Sequence, residues 1–380
     1  MKNRKNYHKV LKIIPFQIVV FALCSVIAEI FLWWAFPVSL ETKVLVYQNL
    51  PGLKKEIVFE HNAFGLRSLS MRKKAKPDNT IRIFCLGAST TEQPTQATED
   101  TWSGILENKL TNVYRDQNIN IQVASYGNGG LKSTGLFLWA KENIEEYDPD
   151  IVISLMGIND LAFNGGNDYY YSGIEVRPYT SVYDIMSFIK KCCKEYSQIC
   201  RRIILAKRRV DIWRQKKTGK IIEWHSKNLP YLRENYKKYP YSPVITRDPD
   251  PFSEFQDAMS ALFILLKRMN ITTIVLGQPV LWKNSMNTEE LEALWFFVNT
   301  KRGFIRPSGS WLLNEIQRYN NAQKQLAEFN NALYIDLDTQ IPKTLEYYFD
   351  DCHYTDLGSR KVASAVFPEV KRQIEIILSK

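Results

Sequence analysis

The stretch that decides the fold is Ile81-Arg82-Ile83-Phe84-Cys85-Leu86-Gly87-Ala88-Ser89-Thr90-Thr91-Glu92. Apart from Arg82, its first six residues are apolar and favour extended structure, which predicts a buried strand of a parallel sheet. Gly87 and the small polar residues after it end that strand. Because functional residues of open α/β sheets lie at the carboxyl ends of strands, Ser89 is a candidate nucleophile. Taken alone, the segment is also typical of a turn in which serine or threonine caps a helix.

The composition sets broad limits on the class of protein. The chain has 380 residues, of which 45% are hydrophobic, and a net charge of +10. This allows a sizeable core in one large domain with appendages, or in two domains. The basic residues concentrate at the N-terminus and between Lys190 and Lys238, so the positive charge is a property of local surfaces and not of the whole fold. The six cysteines lack metal-finger spacing. Cys192, Cys193 and Cys200 allow one disulfide in an oxidising compartment, which the sequence does not decide.

Residues 1–38 predict a cytoplasmic basic tail followed by a transmembrane signal anchor. The run from Ile13 to Val38 is almost wholly apolar and is long enough to cross a bilayer of about 30 Å as a helix. The basic residues before it predict a cytoplasmic N-terminus, which would leave the rest of the chain in the periplasm or at the cell surface. A cleaved signal peptide is the alternative, but no Ala-x-Ala-like site follows. Glu29 lies within the run, and acids inside a membrane often mark function.

An alternation of strands and helices begins at Ile81, after a predicted membrane-proximal extension at residues 39–80. The predicted strands are residues 81–86, 119–125, 151–156, 272–276 and 333–337. The predicted helices are residues 101–114, 134–147, 252–270, 311–330 and 359–378. Five strands separated by helices predict a doubly wound parallel sheet within a main domain at residues 81–380. Residues 162–251 interrupt the alternation, and we interpret them as a helical insertion.

A nucleophilic serine needs a neighbouring base, and the chain has four histidines. His353 is the best placed of them, because it follows the last predicted strand and so lies at the same end of the sheet as Ser89. Asp350 comes three residues earlier, within one turn of the imidazole. A carboxylate at that spacing can fix the tautomer of the ring and stabilise the imidazolium.

Attack on a carbonyl also requires hydrogen-bond donors for the oxyanion that develops. Gly127-Asn128-Gly129-Gly130 follows the second predicted strand, where bare backbone can approach a substrate closely. Asn159 follows the third. Each motif has a structural alternative, such as a cap, a turn or a surface pair. Their occurrence together on neighbouring strand ends favours a single site.

These segments resemble the motif blocks of the SGNH (GDSL-like) hydrolase family. Gly87 to Thr91 is similar to the first block, with Ser89 as nucleophile. Gly127 to Gly130 is similar to the second block. Gly157-Ile158-Asn159-Asp160 matches the third block, G-x-N-D, and Asp350-Asp351-Cys352-His353 matches the fifth, D-x-x-H. Two positions depart from the pattern: Ala88 replaces a common aspartate, and Ser125 replaces an asparagine.

The resemblance implies a flavodoxin-like three-layer α/β/α fold and ester hydrolysis without a metal or other cofactor. It implies catalytic roles for Ser89, His353 and Asp350. It also implies an oxyanion hole formed by the N–H groups of Ser89 and Gly130 and the side chain of Asn159. The two departures do not change the assignment of the nucleophile, but they leave the substrate class undetermined. An ordinary α/β-hydrolase elbow fits less well, since it requires glycine where this chain has Thr91.

The expected function is a serine esterase that acts on an O-acyl group, such as acetyl, of an extracytoplasmic glycan or lipid. The alternatives are an O-acyltransferase of cell-surface polysaccharide, a non-catalytic membrane-anchored assembly factor, and a metal phosphoesterase built on Asp350, Asp351 and His353. The basic, aromatic segment Lys190–Lys238 predicts either a solvated helical hairpin or a contact with anionic lipid headgroups or an acidic glycan. Nucleic acid is not an expected partner outside the cytoplasm.

Overall fold

The computed structural model describes residues 2–35, 43–46, 52–54, 56–59, 61–62, 65–71, 75–162, 197–203, 206, 210, 228–247, 250–300 and 303–379. These residues belong to two compact units. The first unit takes its residues from Met1–Thr42, His61–Phe64 and Val176–Lys220. The second unit takes its residues from Lys43–Glu60, Gly65–Glu175 and Ile221–Lys380. The predicted division at residues 38 and 80 stays a prediction.

The first unit contains the long helix α1 (Lys2–Ala35). Within the described residues, no helix combines the length and the apolarity that a membrane crossing requires. The transmembrane helix predicted within residues 1–38 is therefore not found among the described residues. The helix that carries the apolar run also carries the preceding basic residues, and Glu29 has polar partners. Its carboxylate accepts hydrogen bonds from Ser197 Oγ at 3.0 Å, Ile199 N at 3.2 Å, and Gln198 N.

These hydrogen bonds lie at the start of a short helical segment, residues 198–203. Ser197 Oγ also accepts a hydrogen bond from Cys200 N at 3.0 Å, as an N-cap does. The helical insertion predicted at residues 162–251 lies mostly outside the described residues, as does most of Lys190–Lys238. Cys200 is a free thiol, and Cys192 and Cys193 lie outside the described residues.

The second unit contains the strands that the structure describes. They are β1 (Lys43–Val46), β2 (Glu56–Phe59), β3 (Thr80–Gly87), β4 (Asn120–Gly127), β5 (Ile151–Leu155), β6 (Tyr241–Ser242), β7 (Thr272–Leu276), β8 (Val298–Thr300), β9 (Gly303–Pro307) and β10 (Leu333–Ile335). Five of them form a parallel sheet in the order β10-β7-β5-β3-β4. Counted along the chain, this is the order 2-1-3-4-5 of flavodoxin-like folds. The predicted fold class is confirmed for this part of the chain.

The second unit also contains helices. They are α2 (Ser89–Glu92), α3 (Trp102–Tyr114), α4 (Ser133–Tyr147), α5 (Ile158–Ala162), α6 (Asn228–Lys238), α7 (Phe252–Arg268), α8 (Thr288–Ala293), α9 (Gly309–Phe329), α10 (Leu337–Gln340) and α11 (Asp356–Leu378). Helix α3 packs against α11, while α7 packs against both α4 and α9. The two groups of helices give the layered α/β/α architecture.

The central strand β3 is buried along its whole length, as the apolar run predicts. Its single charged residue, Arg82, is buried with its hydrogen bonds satisfied by neighbouring elements. Nε and Nη2 donate to Gln122 Oε1 on β4 at 3.0 and 2.8 Å, and Nη1 donates to Tyr147 O at 2.5 Å. A buried guanidinium is tolerated only with such partners, so Arg82 ties β3 to β4 and to the end of α4.

Side-chain caps explain two differences between the predicted and observed boundaries. Strand β10 ends at Ile335, two residues early, because Asp336 caps α10 by accepting a hydrogen bond from Thr339 N at 3.3 Å. Helix α11 begins at Asp356, three residues early, because Thr355 Oγ1 accepts from Gly358 N at 3.1 Å. Aspartate and threonine are among the preferred N-caps.

A second, smaller sheet was not predicted. Strand β9 pairs antiparallel with β8 and parallel with β6, in the order β6-β9-β8. Strands β6 and β8 are two and three residues long, too short for an alternating pattern to identify them, and the five residues of β9 do not alternate between apolar and polar. Because β6 lies near the end of the predicted insertion and β8 lies in the irregular stretch after β7, this sheet joins two irregular stretches of the chain.

Candidate active site

Ser89 occupies the turn where β3 passes directly into the short helix α2. Two glycines allow this close packing. A Cβ on Gly87 would lie 2.1 Å from Thr91 Oγ1, and a Cβ on Gly127 would lie 2.2 Å from Glu92 N. The N-cap of α2 is Ala88, which makes no side-chain capping bond. Ser89 is therefore not the helix cap, and its hydroxyl is engaged elsewhere.

The Ser89 hydroxyl lies against the imidazole of His353. The distance from Ser89 Oγ to His353 Nε2 is 2.8 Å. The other ring nitrogen, Nδ1, lies 2.9 Å from Asp350 Oδ1 and 2.8 Å from Oδ2. With the Nδ1 proton facing the carboxylate, Nε2 is the acceptor for the serine hydroxyl. The structure thus brings together the three residues that the sequence analysis selected, in the order serine, histidine, aspartate.

The Asp350 side chain is buried and is surrounded by hydrogen-bond donors. Its Oδ1 accepts from the backbone N–H groups of Cys352 at 3.0 Å and His353 at 2.9 Å. Its Oδ2 accepts from the indole Nε1 of Trp295 at 2.9 Å. Trp295 was missed in the sequence analysis, because nothing in its local pattern distinguishes it from other aromatic residues of an irregular stretch.

Electrostatics match this geometry. Burial disfavours the ionised Asp350, but the charge and hydrogen bond of His353 outweigh it and lower the pKa of this carboxyl. Burial also disfavours the charged form of His353 and by itself would lower the pKa of this imidazole. The adjacent Asp350 carboxylate nevertheless raises that pKa well above the usual value. The two groups therefore favour each other's charged forms.

The next carboxylate along the chain, Asp351, faces other partners. Its Oδ1 accepts from the indole Nε1 of Trp282 at 2.8 Å, and its Oδ2 accepts from the N–H groups of Trp295 and Phe296 at 2.8 and 3.0 Å. Burial and the negative charge of Asp350 raise the pKa of Asp351 to about 7. Asp351 thus binds the segment that carries Trp295, whereas Asp350 binds His353.

The glycine-rich turn after β4 lies beside Ser89. A Cβ on Gly129 would be 4.0 Å from the Cβ of Ser89. The N–H of Gly129 donates to Glu92 Oε2 at 2.9 Å, and Leu131 N donates to Asn128 O at 3.0 Å. Gly130 has φ of 79°, a conformation that glycine adopts readily. Glu92 therefore holds the turn in place one residue before Gly130.

The G-x-N-D motif holds the same turn from its other side. Asn159 Nδ2 donates to Leu131 O at 3.0 Å. Asp160 is buried, and its Oδ1 accepts from Ser133 N at 3.0 Å and from Ser133 Oγ at 2.6 Å. Burial raises the pKa of Asp160, opposed by the Ser133 hydrogen bonds. Asp160 therefore anchors the start of α4, and Asn159 lies at the end of the glycine turn.

Arg67 is a second residue that the sequence analysis did not select. Its backbone pairs with Ser125 on β4 through hydrogen bonds of 2.9 and 2.8 Å. Its buried guanidinium donates to three carbonyls that follow Ser89: those of Glu92 and Gln93 at 2.5 and 2.6 Å through Nη1, and that of Gln96 at 2.7 Å through Nη2. Arg67 thus fixes the chain that leaves α2.

Two glutamines connect the Ser89 element with the His353 element. Gln93 Nε2 donates to Ser359 Oγ at 2.5 Å. Gln96 Nε2 donates to Tyr354 O at 2.8 Å and to Ser359 Oγ at 3.1 Å. All four residues are buried, where hydrogen bonds are strong and their loss is costly. This network fixes the distance between the two halves of the site.

Among the described residues, Asp350, Cys352 and His353 each place one potential metal-ligand atom within 4.8 Å of the others. This set differs from the alternative set Asp350, Asp351 and His353, in which Asp351 is engaged by three N–H donors. The Nδ1 of His353 is already bonded to Asp350. Burial raises the pKa of the Cys352 thiol, which disfavours the thiolate that binds metals. The local chemistry therefore suits the hydrogen-bonded pair better than a metal centre.

The family model of the GDSL-like lipase/acylhydrolase family matches residues 85–361. The chain belongs to this family. The matched region includes all four predicted blocks, so the recognition made from the motifs is confirmed, and the protein is an SGNH-type serine ester hydrolase. A search of curated proteins finds no significant match to this GDSL-like hydrolase.

Solved structures of several esterases align with it at low identity. An acetyl xylan esterase, AlAXEase, is 14% identical, with 76% of this chain and 100% of that chain covered and a TM-score of 0.41. The acetylxylan esterase Axe2 from Geobacillus stearothermophilus is 13% identical, with coverages of 76% and 94% and a TM-score of 0.41. The esterase EstA from Pseudoalteromonas sp. is 12% identical, with coverages of 78% and 100% and a TM-score of 0.40. Alignments of this quality do not assign a substrate to the GDSL-like hydrolase.

The raised pKa of His353 predicts the pH dependence of ester hydrolysis. A general base must be neutral, so kcat/KM should rise with pH through a midpoint above the usual histidine value of about 6.5. Asp350→Asn removes the attracting charge. The midpoint should then move to lower pH, and kcat should fall by roughly 10⁴-fold because the tautomer is no longer fixed.

The measurement is the pH–rate profile of the wild type and the variant with a small chromogenic ester. Asp336→Asn is the matched control, since asparagine is an equally good N-cap for α10 and the residue does not touch the site. A midpoint that stays in place in Asp350→Asn would contradict the coupling between Asp350 and His353.

Proposed function

We propose that Ser89, His353 and Asp350 are the catalytic triad of this hydrolase and that the reaction proceeds through an acyl-enzyme. The observation that carries the proposal is the continuous chain of hydrogen bonds, 2.8 Å from Ser89 Oγ to His353 Nε2 and 2.8 Å from His353 Nδ1 to Asp350 Oδ2. A serine hydroxyl at this distance from a neutral imidazole can lose its proton as it attacks.

The steps follow from the roles of the three side chains. His353 Nε2 accepts the Ser89 proton while Oγ forms a bond to the ester carbonyl carbon. Asp350 stabilises the resulting imidazolium. The imidazolium then returns the proton to the leaving alcohol as the ester C–O bond breaks, which leaves an acyl group on Ser89. Water, or a second hydroxyl compound, is deprotonated by His353 and releases the acyl group.

The donors for the oxyanion are the N–H groups of Ser89 and Gly130 and the amide of Asn159. Ser89 begins α2, and the first N–H groups of a helix have no acceptor within it. Gly129 donates to Glu92, which makes the N–H of Gly130 the next donor along the turn. Asn159 gives one N–H to Leu131 O, and its amide has a second one.

For the substrate, we propose an O-acyl ester of a glycan or a lipid, with a short acyl group such as acetyl. The support is the acylhydrolase chemistry of the family together with an acyl-enzyme that a second hydroxyl can also resolve. The extracytoplasmic location of residues 39–380, which the order of basic and apolar residues suggests, stays a prediction.

Ser89→Ala tests the nucleophile. The variant should fold normally and lose ester hydrolysis by several orders of magnitude, since only the oxyanion donors and substrate binding remain. A fluorophosphonate probe should label the wild type at Ser89 and should not label the variant. Ser310→Ala, which removes an exposed hydroxyl on α9, is the control. Wild-type turnover in Ser89→Ala would rule out the triad.

Asn159→Ala tests the oxyanion hole. Loss of one donor should lower kcat by about 10²- to 10³-fold and leave KM nearly unchanged, because the donor acts mainly on the transition state. Asn143→Ala is the matched control, since Asn143 Nδ2 also donates to a backbone carbonyl, that of Trp139 at 2.8 Å, within a helix. Equal losses in both variants would show that the Asn159 effect is structural.

A panel of acetylated glycans and lipid esters tests the substrate class. We expect release of the acyl group from at least one acetylated glycan or lipid ester, at a rate that Ser89→Ala abolishes. Added acceptor alcohols separate the two outcomes: a new ester that forms at the expense of free acid indicates transfer, and free acid alone indicates hydrolysis. Turnover confined to esters of other classes would contradict the proposed substrate.

A further inference from the structure

The segment Leu281–Phe296, here called the 281–296 segment, leaves the carboxyl end of β7 and returns beside the catalytic aspartate. Asp351 accepts hydrogen bonds from residues at both ends of this segment. At the first end, Leu281 N donates to Asp351 O at 2.9 Å and Trp282 Nε1 donates to Asp351 Oδ1 at 2.8 Å. At the second end, the N–H groups of Trp295 and Phe296 donate to Asp351 Oδ2 at 2.8 and 3.0 Å.

The Trp295 side chain, at the second end of this segment, borders the site. Its indole Nε1 donates to Asp350 Oδ2 at 2.9 Å. Its ring is nearly parallel to the imidazole of His353, with an angle of 3° between the planes and 6.2 Å between the ring centres. The same residue thus bonds to the aspartate of the triad and lies alongside the histidine.

Both oxygens of the Asp350 carboxylate accept hydrogen bonds from groups held in place by the fold. Two backbone N–H groups bind Oδ1, and Trp295 is the side-chain donor on Oδ2 apart from His353 itself. Rotation of the carboxylate about its Cβ–Cγ bond would break the indole hydrogen bond. An indole held by its own backbone to Asp351 therefore fixes the plane in which Asp350 meets the imidazole.

We propose that Trp295 is a positioning residue for the Asp350–His353 pair and that Asp351 holds Trp295 in that position. This inference rests on the proposed triad. Trp295 orients the carboxylate and draws negative charge away from the oxygens that face the ring. Its own side chain does not act on the ester.

The electrostatic consequence has a definite sign. Without the indole N–H, the negative charge of Asp350 is less dispersed and attracts the imidazolium more strongly, so the pKa of His353 should rise further. The other titratable groups that interact with this pair are Asp351 and Cys352. Neither changes in a substitution at position 295 that keeps the ring.

Trp295→Phe is the test, since it keeps an aromatic ring beside His353 and removes the N–H. We expect kcat for a small ester to fall about tenfold or more, because a hydrogen bond to a charged group is lost, while KM changes less than about twofold. The acid limb of kcat/KM should move to higher pH. The downfield proton resonance of His353 Nδ1–H, recorded by NMR on the full chain, should shift.

Trp282→Phe is the matched control. It removes the same kind of N–H from the adjacent carboxylate, at Asp351 Oδ1, and leaves the donor to Asp350 intact. We expect a lower unfolding temperature, an unshifted His353 resonance and an unshifted acid limb. Identical resonance shifts in the two variants, or an unchanged resonance and kcat in Trp295→Phe, would overturn the positioning role.

Trp295→His provides a rescue variant, because the imidazole Nε2 can overlay the indole Nε1. At a pH where this imidazole is neutral, the variant should recover part of the kcat that Trp295→Phe loses; no recovery in a folded protein counts against the proposal. The NMR readout is independent of turnover. Failure of the triad itself would appear as activity in Ser89→Ala, whereas failure of this inference would appear as an unmoved resonance in Trp295→Phe.

Discussion

The buried carboxylate of Asp350 is the constraint on which the rest of the site depends. An ionised group removed from water is strongly destabilising unless donors replace its hydration. Here two backbone N–H groups, an indole and an imidazole replace it. Because those donors come from the turn after Asp350 and from Trp295, the turn and the 281–296 segment must both be in place before the charge can be buried. The positions of the turn and of the 281–296 segment are therefore determined by the hydrogen bonds that the buried Asp350 carboxylate requires.

A second constraint holds together residues that are far apart in the chain. Ser89 and His353 are separated by 264 positions. The parallel sheet brings their strands to one edge, but a sheet alone fixes positions only to within the freedom of its loops. Gln93 and Gln96 remove that freedom through Ser359 and the Tyr354 carbonyl. Arg67 also restrains the chain that leaves α2, because its guanidinium donates to the carbonyls of Gln93 and Gln96. The hydroxyl and the imidazole therefore meet as parts of one hydrogen-bonded framework.

The features that the sequence predicted are those with short-range patterns. The apolar run of β3, the helical spacing of α3 and α4, and the spacing of Asp350 and His353 can each be recognised within a few residues. Trp295 and Arg67 could not be found in this way, because their partners lie 55 and at least 25 positions away and nothing in their neighbours indicates those contacts. In the small β6-β9-β8 sheet, β6 and β8 are too short for alternation to be detectable, and β9 does not alternate. The apolar run that contains Glu29 likewise does not indicate that this carboxylate accepts hydrogen bonds from residues 197–199.

The closed base of the 281–296 segment has a consequence for how this protein can change over evolutionary time. Between its two tethered ends the segment has its own internal ties: a capping box joins Asn287 and Glu290, and Lys283 pairs with Glu290 at 2.7 Å. Residues 284–293 are mostly exposed, and exposed loops tolerate insertions and exchanges better than the elements they connect. We therefore expect this part of the segment to differ among related hydrolases while both tethered ends, and the chemistry beside them, are kept.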